Sequence, residues 1–197
     1  TEKRVKYEPK PEARKAGGVY YTPDYIVDYI VKNSIGRVLR ERGKARTSKQ
    51  KNLPLRVLDM ACGSGSFLIE AFDMADKFVM NLRNQSSVTS NQASADLFDR
   101  ARQIEVLQNC IFGVDKDKQA LEVARLNLLL RALHSREKLP PLKNFHLGDS
   151  LKPETWEMGF PEIMKEGGCD IIIGNPPYVR QETLGVEFKE FAKGHFE

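Results

Sequence analysis

The sequence lacks long apolar runs. None approaches the ~18 residues that a membrane-spanning helix needs. Cysteine is scarce as well. Cys62, Cys110 and Cys169 stand at unrelated spacings. They form no zinc pattern and no disulfide framework, so a reducing, cytoplasmic setting is expected. The N-terminal Thr1-Glu2-Lys3-Arg4 is unlike a signal peptide. His134, His146 and His195 are scattered, with no metal-ligand spacing, and read as ordinary surface or core residues. There is no internal repeat and no Gly-x-Gly-x-x-Gly. That last absence disfavours a nicotinamide oxidoreductase.

What is present describes a globular protein. Hydrophobic residues make up 41% and aromatics 9% of 197 residues, enough for one domain with a small appendage. The net charge of +4 hides an asymmetry: residues 1–56 carry +9 and the remainder −5. A basic N-terminal third suits either a polyanionic partner or a solvated arm. The organisation expected is a basic arm, helix and linker over 1–54, then a core over 55–197.

A helix is expected after Thr22 as N-cap, with Pro23 at its first position and Ile26, Val27, Ile30 and Val31 on its buried face. Apolar runs then predict strands over 56–61, 110–115, 144–149 and 170–174. Helical periodicity predicts helices over 67–83, 97–107 and 118–133, the last with Leu121, Ala124, Leu128 and Ala132 inward. Residues 84–94 read as a loop, 150–169 as a connection containing Trp156 and Phe160, and 186–191 as a helix start. Strands alternating with helices imply an α/β fold: a Rossmann-like, mostly parallel sheet with helices on both faces, preceded by the N-terminal helical segment. Four strands are fewer than a complete doubly wound sheet, so the last is expected to keep an unpaired edge.

Four strand ends carry the chemistry. Asp59-Met60-Ala61-Cys62-Gly63-Ser64-Gly65-Ser66-Phe67 joins a strand to a helix. Its glycines admit close approach of a ligand and the helix start offers free N–H groups, as a nucleotide-type cofactor would use; a plain tight turn is the other reading. Asp115 ends the second strand, where a carboxylate accepts two hydrogen bonds from a ribose diol or caps the next helix. Asp149 ends the third. Last comes Asp170-Ile171-Ile172-Ile173-Gly174-Asn175-Pro176-Pro177-Tyr178, a strand read as buried on both faces that runs into a rigid, carbonyl-rich tip. This tip has no base, nucleophile or metal ligand. The Asn175 side-chain oxygen and the Pro176 carbonyl suit an NH₂ group, and Tyr178 can stack on a flat ring. A rigid Pro-Pro turn is the alternative.

Gly18-Val19-Tyr20-Tyr21-Thr22-Pro23, Asp59 to Leu68, Gly113-Val114-Asp115, Gly148-Asp149-Ser150 and Ile173 to Glu182 follow the order seen in S-adenosylmethionine-dependent N6-adenine DNA methyltransferases. The sequence most resembles the modification modules of type I and type IIG restriction-modification enzymes. The resemblance implies a class I methyltransferase fold, here incomplete, in a cytoplasmic enzyme. It implies that Tyr20, Tyr21 and Thr22 close over the cofactor's methionine end, and that Asp59, Ala61, Cys62, Gly63, Gly65 and Phe67 hold its amino and carboxylate groups. Asp115 would bind the ribose, Asp149 the adenine amino group, and Lys116 would lay its stem on the adenine. Asn175, Pro176, Pro177 and Tyr178 would hold a target adenine flipped from double-stranded DNA.

The resemblance also implies restriction or specificity subunits or domains as partners. It implies later strands and a target-recognition domain, so the piece alone is expected not to methylate DNA. Two alternatives are methylation of a protein glutamine amide, and an inactive DNA-binding or assembly module. The Tyr20-Tyr21-Thr22-Pro23 segment and the basic N-terminal third favour DNA.

Overall fold

The β-rich runs pair in parallel, as their burial requires. In the computed structural model, which describes residues 22–44, 55–84, 92–132, 140–176, 178 and 185–196, β1 (Val57–Asp59), β2 (Ile111–Asp115), β3 (Phe145–Leu147) and β4 (Ile171–Ile173) form one sheet in the order β3-β2-β1-β4. Val57 lies opposite Ile111 on one side and Ile171 on the other. β1 is therefore a central strand, and all three of its residues are buried. The chain forms two compact units, Thr22–Asn175 and one that includes Pro176–Glu197.

Strand alternation sorts side chains onto two faces. Val57, Ile111, Phe145, Ile171 and Ile173 join one core with Val31 and Ile35 of α1 (Asp24–Lys44), Leu68 and Phe72 of α2 (Ser66–Asn84), Leu107 of α3 (Gln92–Asn109), and Leu121 and Leu128 of α4 (Lys118–Ala132). Leu58, Phe112 and Val114 point the other way, onto Phe160 and Ile163. Helices thus cover both faces, as expected. Each such buried side chain contributes about 1.5–3 kcal/mol, so the larger, four-helix face carries most of the stabilisation. The inward residues of α4 are the four that its periodicity predicts.

The observed elements differ from expectation at several points. The connection before β4 holds two short helices, α5 (Pro153–Gly159) and α6 (Pro161–Lys165). Both begin on a proline, whose fixed φ and missing N–H suit a first turn. They are too short for periodicity to reveal. The expected loop over 84–94 is overlapped at both ends, since α2 runs through Asn84 and α3 starts at Gln92. α1 starts one residue later than expected, since the Pro23 carbonyl accepts the Ile26 and Val27 N–H groups. β4 is not buried on both faces: Ile172 is 57% exposed. It pairs only with β1 among the described strands, and α5 and α6 cover Leu58 and Phe112 rather than Ile172. In the second unit, α7 (Val186–Phe196) realises the helix expected from residue 186.

Candidate active site at the carboxyl ends of the strands

The chain leaves β1 for β2 and β3 on one side, then returns on the other side as β4. Such a reversal opens a crevice at the strand carboxyl ends, where ligands of open α/β sheets bind. Asp59 ends β1 and Gly174-Asn175 follows β4, so these residues meet across that crevice. They meet tightly. Gly174 has φ +146°, and a Cβ there would fall inside contact distance of Asp59 Oδ1 and 3.1 Å from Asp59 Cγ. Glycine is needed on both counts. Gly174→Ala is expected to destabilise the fold by about 2–4 kcal/mol through strain and overlap. A melting temperature equal to wild type would contradict this packing.

Asp59 is only 1% exposed. Its Oδ1 accepts the Ala61 N–H at 3.0 Å. Burial pushes its carboxyl up to about 7, against the relief of the Ala61 bond and with the help of the nearby Asp115 charge. The group carries an unneutralised tendency to hold a proton, which a cation placed beside it would remove.

The Gly loop is held from three sides. The Cys62 N–H donates to the Val114 carbonyl at 2.9 Å, and the Gly63 N–H to Asp115 Oδ2 at 2.7 Å. Asn127 of α4 donates its Nδ2 to the Ser64 carbonyl at 3.1 Å. Gly65, at φ +89°, presses on Ala124, where a Cβ would stand 3.1 Å from the alanine methyl. Asp115 Oδ1 also accepts the Asp117 N–H at 2.8 Å, so the acid ties loop and helix start together. Each carboxylate oxygen keeps a further lone pair for a ligand. The Phe67 ring is buried in the core, which leaves only its backbone, at the start of α2, to serve the crevice. Burial, with the Asp59 and Asp115 charges, drives the Cys62 thiol far up. It is a packing residue, not a nucleophile.

Asp149 lies just past β3. Its Oδ2 meets Lys116 Nζ at 2.9 Å and its Oδ1 accepts the Leu151 N–H at 3.1 Å. Partial burial raises this carboxyl's proton affinity. The Lys116 and Leu151 bonds outweigh that, together with the Lys116 and Lys152 charges, and hold it below the usual range. Lys116 thus reaches Asp149 with its ammonium.

Asn175 Nδ2 donates to Thr22 Oγ1 at 3.2 Å. The Thr22 hydroxyl therefore faces the segment after β4. The crevice collects Thr22, Asp59, the Gly loop, Asp115, Lys116, Asp149 and Asn175. Pro176 and Tyr178 belong to the second unit. Tyr20, Tyr21 and Pro177 lie outside the described residues. Asn127, Thr155 and Trp156 also support the site and were not expected. A helix-borne Asn and a Trp three residues past Pro153 leave no periodic signal.

Residues 109–197 match the family described as Eco57I restriction-modification methylase. Over 91% of its length the chain is 30% identical to the type II restriction enzyme and methyltransferase RM.Eco57I of Escherichia coli, and covers 19% of that protein. Over 90% of its length it is 25% identical to the adenine-specific methyltransferase PglX of Streptomyces coelicolor, covering 16% of it. The chain thus spans about a fifth of the curated relatives it matches. The fold is shared with the ATP-dependent type ISP restriction-modification enzyme LlaBIII, whose structure is bound to DNA: the TM-score is 0.56 at 18% identity, over 89% of this chain and 12% of that one. The chain is thus similar to restriction-modification methyltransferases, and its match to the Eco57I methylase family lies over residues 109–197.

Proposed function

We propose that this chain is the catalytic part of an enzyme that transfers a methyl group from S-adenosylmethionine to the N6 amino group of adenine in double-stranded DNA. The observation that carries this reading is the orientation of Asn175. Its Nδ2 is taken up by Thr22, so its Oδ1 is left as an acceptor, beside the carboxylate crevice. The Asn175-Pro176-Pro177-Tyr178 tip carries no carboxylate, imidazole or thiol of its own, and an amide acceptor suits an amine that is held rather than deprotonated.

The crevice fits the cofactor on its own chemistry. Three carboxylates, Asp59, Asp115 and Asp149, stand at neighbouring strand ends, and the most buried of them is held near neutrality in its proton affinity. A cationic amino-acid group beside Asp59, a diol on Asp115 and an amino group on Asp149 answer those three acceptors. The Ala61 to Phe67 segment offers backbone N–H groups, Thr22 with Tyr20 and Tyr21 closes the methionine end, and Lys116 flanks the base. The bound cofactor supplies an electrophilic methyl on a sulfonium.

The protein's part is positional. The Asn175 oxygen and the Pro176 carbonyl accept the two N–H bonds of the target amine, which concentrates its lone pair on nitrogen. Tyr178 stacks on the base, next to Pro177. The target base is read outside the helix stack. The basic N-terminal third supplies phosphate contacts, and restriction or specificity partners complete target recognition.

Calorimetric titration tests the cofactor. S-adenosylmethionine and its demethylated product are expected to bind and NAD is not; binding of NAD alone would overturn the reading.

A further inference from the structure

The Asp149 turn is clamped from α5 by two side chains, Thr155 and Trp156, that bond its backbone carbonyls. Thr155 Oγ1 donates to the Asp149 carbonyl at 2.6 Å. Trp156 Nε1 donates to the Ser150 carbonyl at 3.0 Å. The backbone agrees, with the Lys152 N–H on the Asp149 carbonyl at 2.9 Å. The packing is close as well. A Cβ at Gly148 would stand 2.7 Å from Thr155 Cγ2, so glycine at 148 lets α5 press directly on the turn.

Trp156 is in turn braced. Its ring stacks on Phe160 with centroids 6.2 Å apart. Phe160 also takes the edges of Phe112 at 5.9 Å and His146 at 4.6 Å. The chain of support runs from the second core, through Phe160 and Trp156, to the Ser150 carbonyl, one residue beyond the Asp149 carbonyl that Thr155 holds. Meanwhile the Asp149 carboxylate is fixed at both oxygens by Lys116 and the Leu151 N–H.

A simple stability role explains the aromatic stack. It does not explain two polar side chains spent on consecutive carbonyls of a turn that carries one carboxylate. We propose that Thr155 and Trp156 are positioning residues that set the adenine preference of the cofactor site by fixing the Asp149 turn. This rests on the reading of Asp149 as the acceptor for the cofactor's adenine amino group. A carboxylate held in one direction accepts from an exocyclic NH₂. Against hypoxanthine, whose O6 is an acceptor, it presents like against like. A turn free to rotate would relax that discrimination.

The test compares binding of S-adenosylhomocysteine and S-inosylhomocysteine to the intact protein by calorimetry. Thr155→Val keeps shape and removes the hydroxyl; Trp156→Phe keeps the ring and removes the Nε1 donor. Each is expected to weaken the adenine ligand about three- to tenfold, as one lost hydrogen bond implies, with binding of the hypoxanthine ligand unchanged. The double variant should narrow the adenine-to-hypoxanthine ratio further. Equal weakening of both ligands would mean that the clamp is merely structural and would overturn the inference, as would no change. Asp149→Asn separates the two levels. If it leaves the ratio at the wild-type value, the reading of Asp149 falls and the inference with it. If it collapses the ratio while Thr155→Val and Trp156→Phe do not, only the inference falls.

Discussion

Asn175→Ala is expected to cut methyl transfer to adenine by at least roughly a hundredfold, while cofactor affinity stays within about twofold of wild type. On the proposed function the two effects separate, because the Asn175 oxygen is assigned to the target amine rather than to the cofactor. Its side chain meets the rest of the site through Thr22 Oγ1 alone among the bonds described. Thr22→Val should give a smaller loss, of about tenfold, since the amide survives but loses the bond that turns its oxygen outward. Single-turnover methylation of an adenine-containing duplex, paired with calorimetry of the cofactor, measures both. Equal loss of binding and transfer in Asn175→Ala would place Asn175 in the cofactor pocket. A loss of transfer to a glutamine-containing peptide, with no transfer to DNA in wild type, would move the substrate to protein.

Asp59→Asn is expected to stabilise the protein at neutral pH while removing cofactor binding. Asp59 holds its proton in the fold up to about pH 7, against an ordinary 3.8. Below about pH 4 both folded and unfolded chains are protonated there, and the group contributes no difference. As pH rises from 4 to 7 the unfolded chain ionises first, so stability falls through this window and stays low above it. At ~1.36 kcal/mol for each tenfold change in proton affinity, the ceiling is about 4 kcal/mol. The asparagine variant lacks that loss. Its melting temperature at pH 8 should exceed wild type by roughly 5–10 °C, with little difference at pH 4. Melting curves at the two pH values settle the sign, and an advantage confined to pH 4 would contradict the burial argument. Such a cost in the native state is the kind that persists where function requires it.

How much of this could be read from residues depends on what each signal measures. Residues 118–132 repeat their apolar positions over four turns, so the helix and its inward Leu121, Ala124, Leu128 and Ala132 were legible. Asp59, Asp115 and Asp149 were legible as strand ends because an acid after an apolar run has few other homes. Ile171 to Ile173 look alike in sequence, and composition cannot say that α5 and α6 cover Leu58 but leave Ile172, its neighbour on the same face, exposed. The bond between Thr22 and Asn175 joins residues 153 apart. Thr22 looked like a helix cap because local chemistry allows that equally well. The Lys116 bond to Asp149 depends on strand order, which no local pattern carries, and the clamp from Thr155 and Trp156 spans only six residues but has no periodic signal.

The strand order also governs when the site comes into being. β1 must receive β2 on one side and, much later in the chain, β4 on the other. Until Ile171 to Ile173 leave the ribosome and pair with Val57 to Asp59, the switch-point crevice has only one wall. Asp59 stands exposed and ionised at the rim of a half-built sheet. Pairing of β4 is then the step that withdraws the carboxylate from water. On the proposed function, the capacity to bind cofactor then arrives with β4 rather than accumulating with each βα unit.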